Sequence, residues 1–182
     1  MIVITYAFAY QCRENQDHKY LRPVQTSVQD DFSRILVPHD GSEMSDKALD
    51  EATRFAKIFN SKIILLYVVD ESFVPPSVLL SFIRERTSLK EAKAGLFGVL
   101  KTGAEKMLRD RMEKIKRKGI DANVEIAIGS PSNEIVKRAK SERVDIIIMG
   151  SRKFKSLGKL KALGSVARRV AEISVCPVML VH

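Results

Sequence analysis

Five short apolar runs, separated by segments with helical periodicity, constrain the fold of this chain more than any other feature. The runs begin at or near Ile35, Ile63, Val124, Ile146 and Pro177, and most are rich in β-branched residues. Runs of this kind are typical of strands buried on both faces of a parallel sheet, and their alternation with helices is typical of α/β domains. We therefore predict an open, doubly wound sheet of five parallel strands with helices on both faces.

The first two intervening segments carry helix start and stop signals. Ser42 or Ser45 can cap the start of the first helix, and Asn60 can end it in a left-handed conformation. The second helix is predicted over residues 88–118, with Gly119 as its stop. Its predicted apolar set is Leu96, Leu100, Met107, Leu108, Met112 and Ile115.

The last two helices are shorter. Gly129-Ser130-Pro131 opens the third, with proline in its first turn. The fourth begins near Gly164-Ser165 and leads to the last strand, Pro177 to Val181.

Two segments do not fit this alternation. We interpret residues 1–32 as a poorly ordered arm that precedes a single domain over residues 33–182, because most of the arm shows no period of two or 3.6 residues. Residues 71–87 form a connection with two adjacent prolines and a short helical piece predicted around residues 78–84. Because this connection follows the end of a strand, it is a candidate lid.

Composition limits the classes of function. With 45% hydrophobic residues, 7% aromatic residues and no Trp, the chain suits an aliphatic core better than a platform that stacks nucleic-acid bases. The net charge is +9, and between Ser151 and Arg169 there are seven basic residues and no acidic one. Such a field would attract the phosphates of a nucleotide or of a nucleic acid, although a solvated basic surface has the same composition.

The chain shows neither a metal-ligand cluster nor a transport signal. Cys12 and Cys176 lie far apart, and the three histidines are equally scattered, so we assign no disulfide and no zinc site. Residues 1–10 are apolar but too short to cross a bilayer, and no basic region precedes them. We expect a cytoplasmic protein.

Residues 145–166 carry the clearest sign of a ligand site. The apolar run at Ile146–Met149 leads through Gly150 into a loop rich in glycine, serine and lysine, and a helix begins near Gly164-Ser165. Free N–H groups at a helix start, close backbone approach at Gly164 and the Ser165 hydroxyl would suit an anion such as phosphate. An ordinary loop capped by Ser165 would share this pattern, so the segment alone leaves both interpretations open.

Six motifs in this order resemble the universal stress protein family, over about residues 33–182. They are Ile35-Leu36-Val37-Pro38-His39-Asp40-Gly41-Ser42, Leu65-Leu66-Tyr67-Val68-Val69, Gly129-Ser130-Pro131, Asp145–Arg152, Leu163-Gly164-Ser165-Val166 and Cys176–Val181. The resemblance implies a Rossmann-like sheet, similar to that of adenine nucleotide α-hydrolases, with strand order 3-2-1-4-5. It also implies a homodimer joined through the last strand, at Val178–Val181.

The resemblance also implies one of two subgroups, of which one binds ATP and the other does not. Membership of the first would mean binding of ATP or a related adenine nucleotide, with Mg or Mn on the phosphates. The predicted contacts are Pro38, Asp40, Val68, Met149, Gly150, Arg152, Lys153, Gly158, Gly164, Ser165 and Val166. Asp40 would lie near the adenine or ribose or hold the cation, and the Val68 backbone would meet the adenine edge. Asp40 is equally suited to a turn and Val68 to a core.

The glycine loop departs from the pattern of the ATP-binding subgroup, which is similar to Gly-x-x-Gly, nine residues and then Gly-Ser or Gly-Thr. Gly150 and Gly164-Ser165 match, but Lys153 takes the middle glycine position and ten residues, 154–163, follow it. Lys at positive φ is strained. Either the site is weakened, or the loop takes another path in which Gly158 makes the bend and Lys153 or Lys155 offsets phosphate charge.

These observations leave three hypotheses. The first is an ATP-binding homodimer in which the nucleotide sets the conformation offered to a partner in a stress response. The second is a family member that has lost nucleotide binding and acts as a dimeric interaction module. Nucleic-acid binding through the basic segment between Ser151 and Arg169 and through the Arg109–Lys118 stretch ranks last, because no aromatic stacking motif supports it. We expect no enzymatic activity other than, at most, slow ATP hydrolysis. Asp40 alone could bring an acidic group close to the glycine loop.

Overall fold

The computed structural model of the chain describes residues 32–72, 89–151 and 164–182, with side chains from Ala94 onward in the second range. Nearly all of the predicted arm, most of the predicted lid and the glycine loop after Ser151 lie outside these ranges.

A five-stranded sheet forms the centre of the described part. Its strands are β1 (Arg34–Pro38), β2 (Lys62–Asp70), β3 (Ala122–Gly129), β4 (Ile146–Gly150) and β5 (Val178–Val181). The spatial order is β3-β2-β1-β4-β5 and each neighbouring pair is parallel. The predicted fold class and strand order are therefore confirmed, and β3 lies at an edge, as its alternating sequence indicates.

Four helices of the described residues cover the two faces of the sheet. They are α1 (Glu43–Phe59), α2 (Leu89–Lys116), α3 (Pro131–Ser141) and α4 (Ser165–Ile173). No helix in residues 32–72, 89–151 and 164–182 is long and apolar enough to cross a membrane.

Alternate side chains of each strand supply two separate hydrophobic clusters, because successive residues of a strand point to opposite faces. On one face the strands pack against α1 and α2, and this cluster includes Ile35, Val37, Ile63, Leu65, Ile148, Ala48, Ala52, Leu108 and Ile115. On the other face they pack against α3 and α4, with Leu36, Ile64, Leu66, Ile147, Met149, Ile135, Ala139, Ala167 and Val170. The core is aliphatic, as the composition predicts.

The helix ends follow the predicted signals. The Ser42 hydroxyl accepts a hydrogen bond from the Ser45 N–H and caps α1, and Asn60 ends that helix at a φ of 54°. Gly119 follows α2 at a φ of 78°, which a residue without a side chain adopts readily. Pro131 is the first residue of α3.

Helix α2 packs through only part of its length, which corrects the predicted apolar set. Leu108 and Ile115 are buried, and Met107 and Met112 pack against the same cluster. Leu100, by contrast, is 41% exposed, and no residue between Ala94 and Gly103 is buried. Helical spacing assigned Leu96 and Leu100 to the packed stripe, but the sheet and α1 reach only the second half of the helix.

Candidate functional site

A cavity of about 720 Å³ opens where β1, β2 and β4 end. Strand β1 has β2 as its neighbour on one edge and β4 as its neighbour on the other. The cavity therefore occupies the switch point at which open α/β sheets bind ligands. Its lining comes from the ends of these strands and the first turns of α1, α3 and α4.

Eight of the eleven residues predicted as nucleotide contacts line this cavity. They are Pro38, Asp40, Val68, Met149, Gly150, Gly164, Ser165 and Val166. The other three, Arg152, Lys153 and Gly158, lie outside the described residues. The fold thus brings together positions that are up to 128 residues apart in the chain, from Pro38 to Val166.

Gly150 is required by packing at the edge of this cavity. A Cβ at this position would lie 2.6 Å from the backbone carbon of Met44 and 2.9 Å from the Ser45 nitrogen. The first turn of α1 therefore rests directly on the end of β4, and only glycine permits that approach. The sequence pattern assigned Gly150 to the start of the glycine loop, whereas in the structure its immediate role is to let α1 pack directly against the end of β4.

The first turn of α4 presents backbone donors without helical acceptors to the cavity. Gly164 is the N-cap, no side chain of the described residues caps the helix, and the first helical bond runs from the Arg168 N–H to the Gly164 oxygen at 2.9 Å. The N–H groups of residues 165–167 therefore lack helical acceptors, and all three residues line the cavity. Gly164, and not Ser165, is the N-cap, so the predicted cap at Ser165 is wrong.

The backbone of Val68 is open toward the cavity. The Lys62 N–H donates to Ser33 and the Leu66 oxygen accepts from the His39 N–H, so the even-numbered residues of β2 direct their main-chain groups toward β1. Val68 follows Leu66 by two residues and points the same way. Because β1 ends at Pro38, opposite Leu66, no described strand lies opposite Val68 on that side.

Asp40 lies in the turn between β1 and α1, with one carboxylate oxygen fixed. Its Oδ1 accepts from the Ser42 N–H at 3.0 Å and from the Ser45 hydroxyl at 2.9 Å. Burial acts to raise the pKa of this carboxyl, but the hydrogen bonds from Ser42 and Ser45 outweigh it and hold the pKa below its ordinary value. Asp40 is therefore a carboxylate at neutral pH, positioned to face a cation or a hydroxyl group.

His39 supports this turn from inside the protein. Its side chain is fully buried, and its Nε2 lies 3.1 Å from Oδ1 of Asp46. Burial lowers the pKa of His39 below 6.5, against the opposing effect of the hydrogen bond to Asp46. At neutral pH this contact is therefore a hydrogen bond from a neutral imidazole and not an ion pair.

A family model settles the relationship of the chain to known proteins. The model of the universal stress protein family matches residues 31–182, a range that includes every residue the structure describes. The chain belongs to the universal stress protein family.

Two members of the universal stress protein family illustrate the likeness. The universal stress protein YxiE of Bacillus subtilis is 37% identical over 159 residues, which cover 83% of this chain and 99% of YxiE. The solved structure of MJ0577, a universal stress protein of Methanocaldococcus jannaschii, is 34% identical with a TM-score of 0.67, covering 82% of this chain and 95% of MJ0577.

Two more distant structures of the universal stress protein family contain adenine nucleotides. One, 23% identical with a TM-score of 0.56, was solved in complex with cAMP and covers 83% of this chain and 97% of its own. The other, from Archaeoglobus fulgidus, is 16% identical with a TM-score of 0.55 and was solved with dAMP, covering 83% of this chain and 98% of its own. At these identities the likeness shows the fold alone.

Several lining residues of this universal stress protein were not selected from its sequence. Tyr67 and Asp70 line the cavity from the end of β2, and Ser45 lines it from α1. Arg168 is the only Lys or Arg among the described lining residues. The signal for Arg168 was present, because it lies three residues beyond Ser165 and so on the same face of α4.

The described part of this universal stress protein has no preformed metal centre. Residues 32–72, 89–151 and 164–182 contain no group of three or more His, Cys, Asp or Glu side chains that could hold an ion. Asp40 fits a more limited role, because its Oδ1 accepts from Ser42 and Ser45 whereas its Oδ2 has no hydrogen-bond partner among the described residues and can face a cation. Such a cation would need most of its ligands from a bound molecule or from water.

Proposed function

We propose that this universal stress protein binds an adenine nucleotide, with ATP as the first candidate, in the cavity at the strand ends. The observation that carries the proposal is the first turn of α4, where three N–H groups without helical acceptors line the cavity. A helix start of this kind favours the negative charge of a phosphate through its free donors and its dipole.

The remaining lining suits the other parts of a nucleotide. The open main-chain groups of Val68 provide one donor and one acceptor for the edge of a base. Leu66, Ile135 and Met149 add apolar surface, and the volume of about 720 Å³ lies within the range of small-molecule sites. The family members solved with cAMP and dAMP support an adenine nucleotide as the ligand class.

Charge favours a cation on the phosphates. Asp40 and Asp70 line the cavity, and Arg168 is the only Lys or Arg among its described lining residues. A Mg or Mn ion between the phosphates and the Asp40 carboxylate would remove the repulsion, as would a lysine of the segment that contains Lys153. Titrations with and without EDTA distinguish these two sources of positive charge.

The proposed biological form is a homodimer that pairs through β5 and offers a nucleotide-dependent surface to a partner in a stress response. β5 is an edge strand, and its odd-numbered residues bond toward β4, as the Val181 oxygen does with the Ser151 N–H at 2.8 Å. Val178 and Leu180 therefore direct their main-chain groups outward, where a second copy can pair with them.

Isothermal titration of the full-length protein tests the proposal. We expect ATP or ADP to bind at near one per chain, and mass spectrometry of the denatured protein to detect adenine nucleotide that co-purifies. Absence of heat and of a thermal shift with either nucleotide near millimolar concentration would overturn nucleotide binding. It would instead favour a dimeric interaction module, the role suggested by Lys153 at a glycine position of the family.

A further inference from the structure

We propose that His39 is a positioning residue for the nucleotide site: its neutral imidazole, oriented by Asp46 and Arg111, accepts the Gly41 N–H and so fixes the turn that aims Asp40 into the cavity. The proposal rests on nucleotide binding at this cavity. It adds a residue that belongs to the cavity lining but whose imidazole is fully buried, so the ring acts through the turn and not by direct contact with a ligand.

Asp46 and Arg111 determine which imidazole nitrogen carries the proton. Arg111 donates to both oxygens of Asp46, from Nε at 2.6 Å and from Nη2 at 3.1 Å. An ionised carboxylate held in this way only accepts hydrogen bonds, so the His39 Nε2, 3.1 Å from Asp46 Oδ1, must be the protonated nitrogen. In a neutral ring the other nitrogen, Nδ1, is then an acceptor.

The Nδ1 acceptor is used by the turn. The Gly41 N–H lies 3.1 Å from Nδ1. The Ser45 hydroxyl is farther, at 3.4 Å, and its single proton has nearer acceptors in the Ser42 oxygen at 2.8 Å and Asp40 Oδ1 at 2.9 Å. Nδ1 therefore accepts its hydrogen bond from the Gly41 N–H.

This bond constrains the backbone at Asp40, while Ser42 and Ser45 hold the Asp40 carboxylate. The Gly41 N–H belongs to the peptide plane that joins Asp40 to Gly41, so a fixed N–H fixes the backbone of Asp40. The turn is confined from the other side as well: Gly41 has a φ of 88°, and a Cβ there would lie 3.0 Å from the Met107 sulfur of α2. His39 and Met107 together hold the turn in one conformation.

Two substitutions separate the two hydrogen bonds of the ring. In His39→Asn the side-chain oxygen can take the place of Nδ1 and accept the Gly41 N–H. In His39→Gln the side-chain nitrogen can take the place of Nε2 and donate to Asp46, but no acceptor faces Gly41. A ring that only fills space would make the two variants equal.

The test measures ATP affinity of the wild type and both variants by titration at neutral pH, and Gly41 amide exchange by NMR without nucleotide. We expect His39→Gln to bind about tenfold more weakly than the wild type and His39→Asn to remain within about threefold. Gly41 exchange should rise in His39→Gln and change less in His39→Asn. Equal affinities in the two variants, or a greater loss in His39→Asn, would overturn the proposal.

The wild-type protein provides a test that no folding defect can obscure. Imidazole nitrogen spectra should show His39 protonated at Nε2 and bare at Nδ1, and the opposite tautomer would overturn the proposal. If the wild type binds no nucleotide, the proposed function fails. The tautomer and the Gly41 exchange rates then still show whether His39 holds the turn.

Discussion

Arg111 of α2 donates hydrogen bonds to both carboxylate oxygens of Asp46 in α1, although the two residues lie 65 positions apart in the chain. The same guanidinium donates through Nη1 to the Met107 oxygen one turn earlier in α2. This pair is the polar link between the long helix and the turn that carries Asp40. Its geometry is specific to arginine, whose planar fork fits a carboxylate with two parallel bonds.

Arg111→Lys should lower the free energy of unfolding by about 1 kcal/mol, because lysine cannot make the two-point contact and both partners are partly exposed. Urea unfolding measures the change. Arg117→Lys is the matched control, since the exposed Arg117, just beyond the end of the same helix, pairs with Glu113 at 3.6 Å and should change stability by less than about 0.5 kcal/mol. Equal effects would show that the Asp46 contact contributes nothing special.

Gly150→Ala should destabilise the protein by about 1–3 kcal/mol, because the added Cβ meets the backbone of α1 and the helix must shift. The shift should also weaken nucleotide binding, which titration detects. Gly103→Ala in α2 adds the same methyl group where no atom lies within 4 Å. It should raise the free energy of unfolding by about 0.5–1 kcal/mol. Loss of stability in both variants would contradict this account of Gly150.

Gly164→Asp should strengthen α4 and weaken ATP binding together. Gly164 has a φ of −58°, and no atom of the described residues lies within 4 Å of a Cβ there, so the variant can cap the helix. We expect about 0.5 kcal/mol of added stability and at least about tenfold weaker ATP binding, because the carboxylate occupies the donors and repels phosphate.

Gly164→Asn separates the effects of charge and capping. It offers the same cap without a charge, so it should weaken ATP binding less than Gly164→Asp does. If ATP affinity is unchanged in Gly164→Asp, the phosphates do not lie at the start of α4.

Stability should fall in mildly acidic solution because of His39. Its pKa is lowered on folding, so the unfolded chain binds the proton more readily. The stabilisation is therefore present above about pH 6.5 and is lost as the pH falls toward the folded pKa, with a slope of at most about 1.4 kcal/mol per pH unit. The charged groups that face the ring are Asp46 from α1, Arg111 from α2 and Asp40 of its own turn.

Comparison of urea unfolding at several pH values in the wild type and His39→Asn isolates this effect. The two stability curves should converge as the pH falls below about 6.5. The pKa values of Asp40 and Asp46 are also lowered, but their stabilisation is lost only as the pH falls below about 3.8. Parallel curves across the mildly acidic range would contradict the buried, neutral state of His39.

Val175→Lys should shift the proposed dimer toward monomer. Val175 is 57% exposed and lies just before β5, so a charge there adjoins the edge strand. Light scattering over a range of concentrations measures the shift. Ile58→Lys is the control: Ile58 is 70% exposed near the end of α1 and is not part of β5 or of the segment that leads into it. Loss of the dimer in Ile58→Lys alone would place the interface elsewhere.

The fold could be predicted from the sequence because its signals are local. Each strand is one apolar run, and the caps at Ser42 and Asn60 are decided by the residues beside them. The lining residues Asp40, Val68 and Gly150 could be selected because they stand at or just after strand ends, which parallel topology brings to one edge.

The interactions behind the site could not be predicted, because they depend on tertiary distances. Nothing near His39 in the sequence indicates that Arg111 fixes its tautomer through Asp46. The close approach that makes Gly150 obligatory involves Met44, more than one hundred residues away. The same limit explains why Leu100 was wrongly assigned to the packed face of α2. Periodicity shows which face of a helix is apolar but not how far the neighbouring elements extend.

The uneven packing of α2 also sets how that helix opens. From Ala94 to Gly103 its backbone hydrogen bonds have no buried side chains over them, and three glycines favour the unfolded form locally. From Ala104 onward, opening a turn exposes core residues such as Leu108. The amide hydrogens of one continuous helix should therefore exchange in two populations, the first through local fraying and the second only when the domain unfolds.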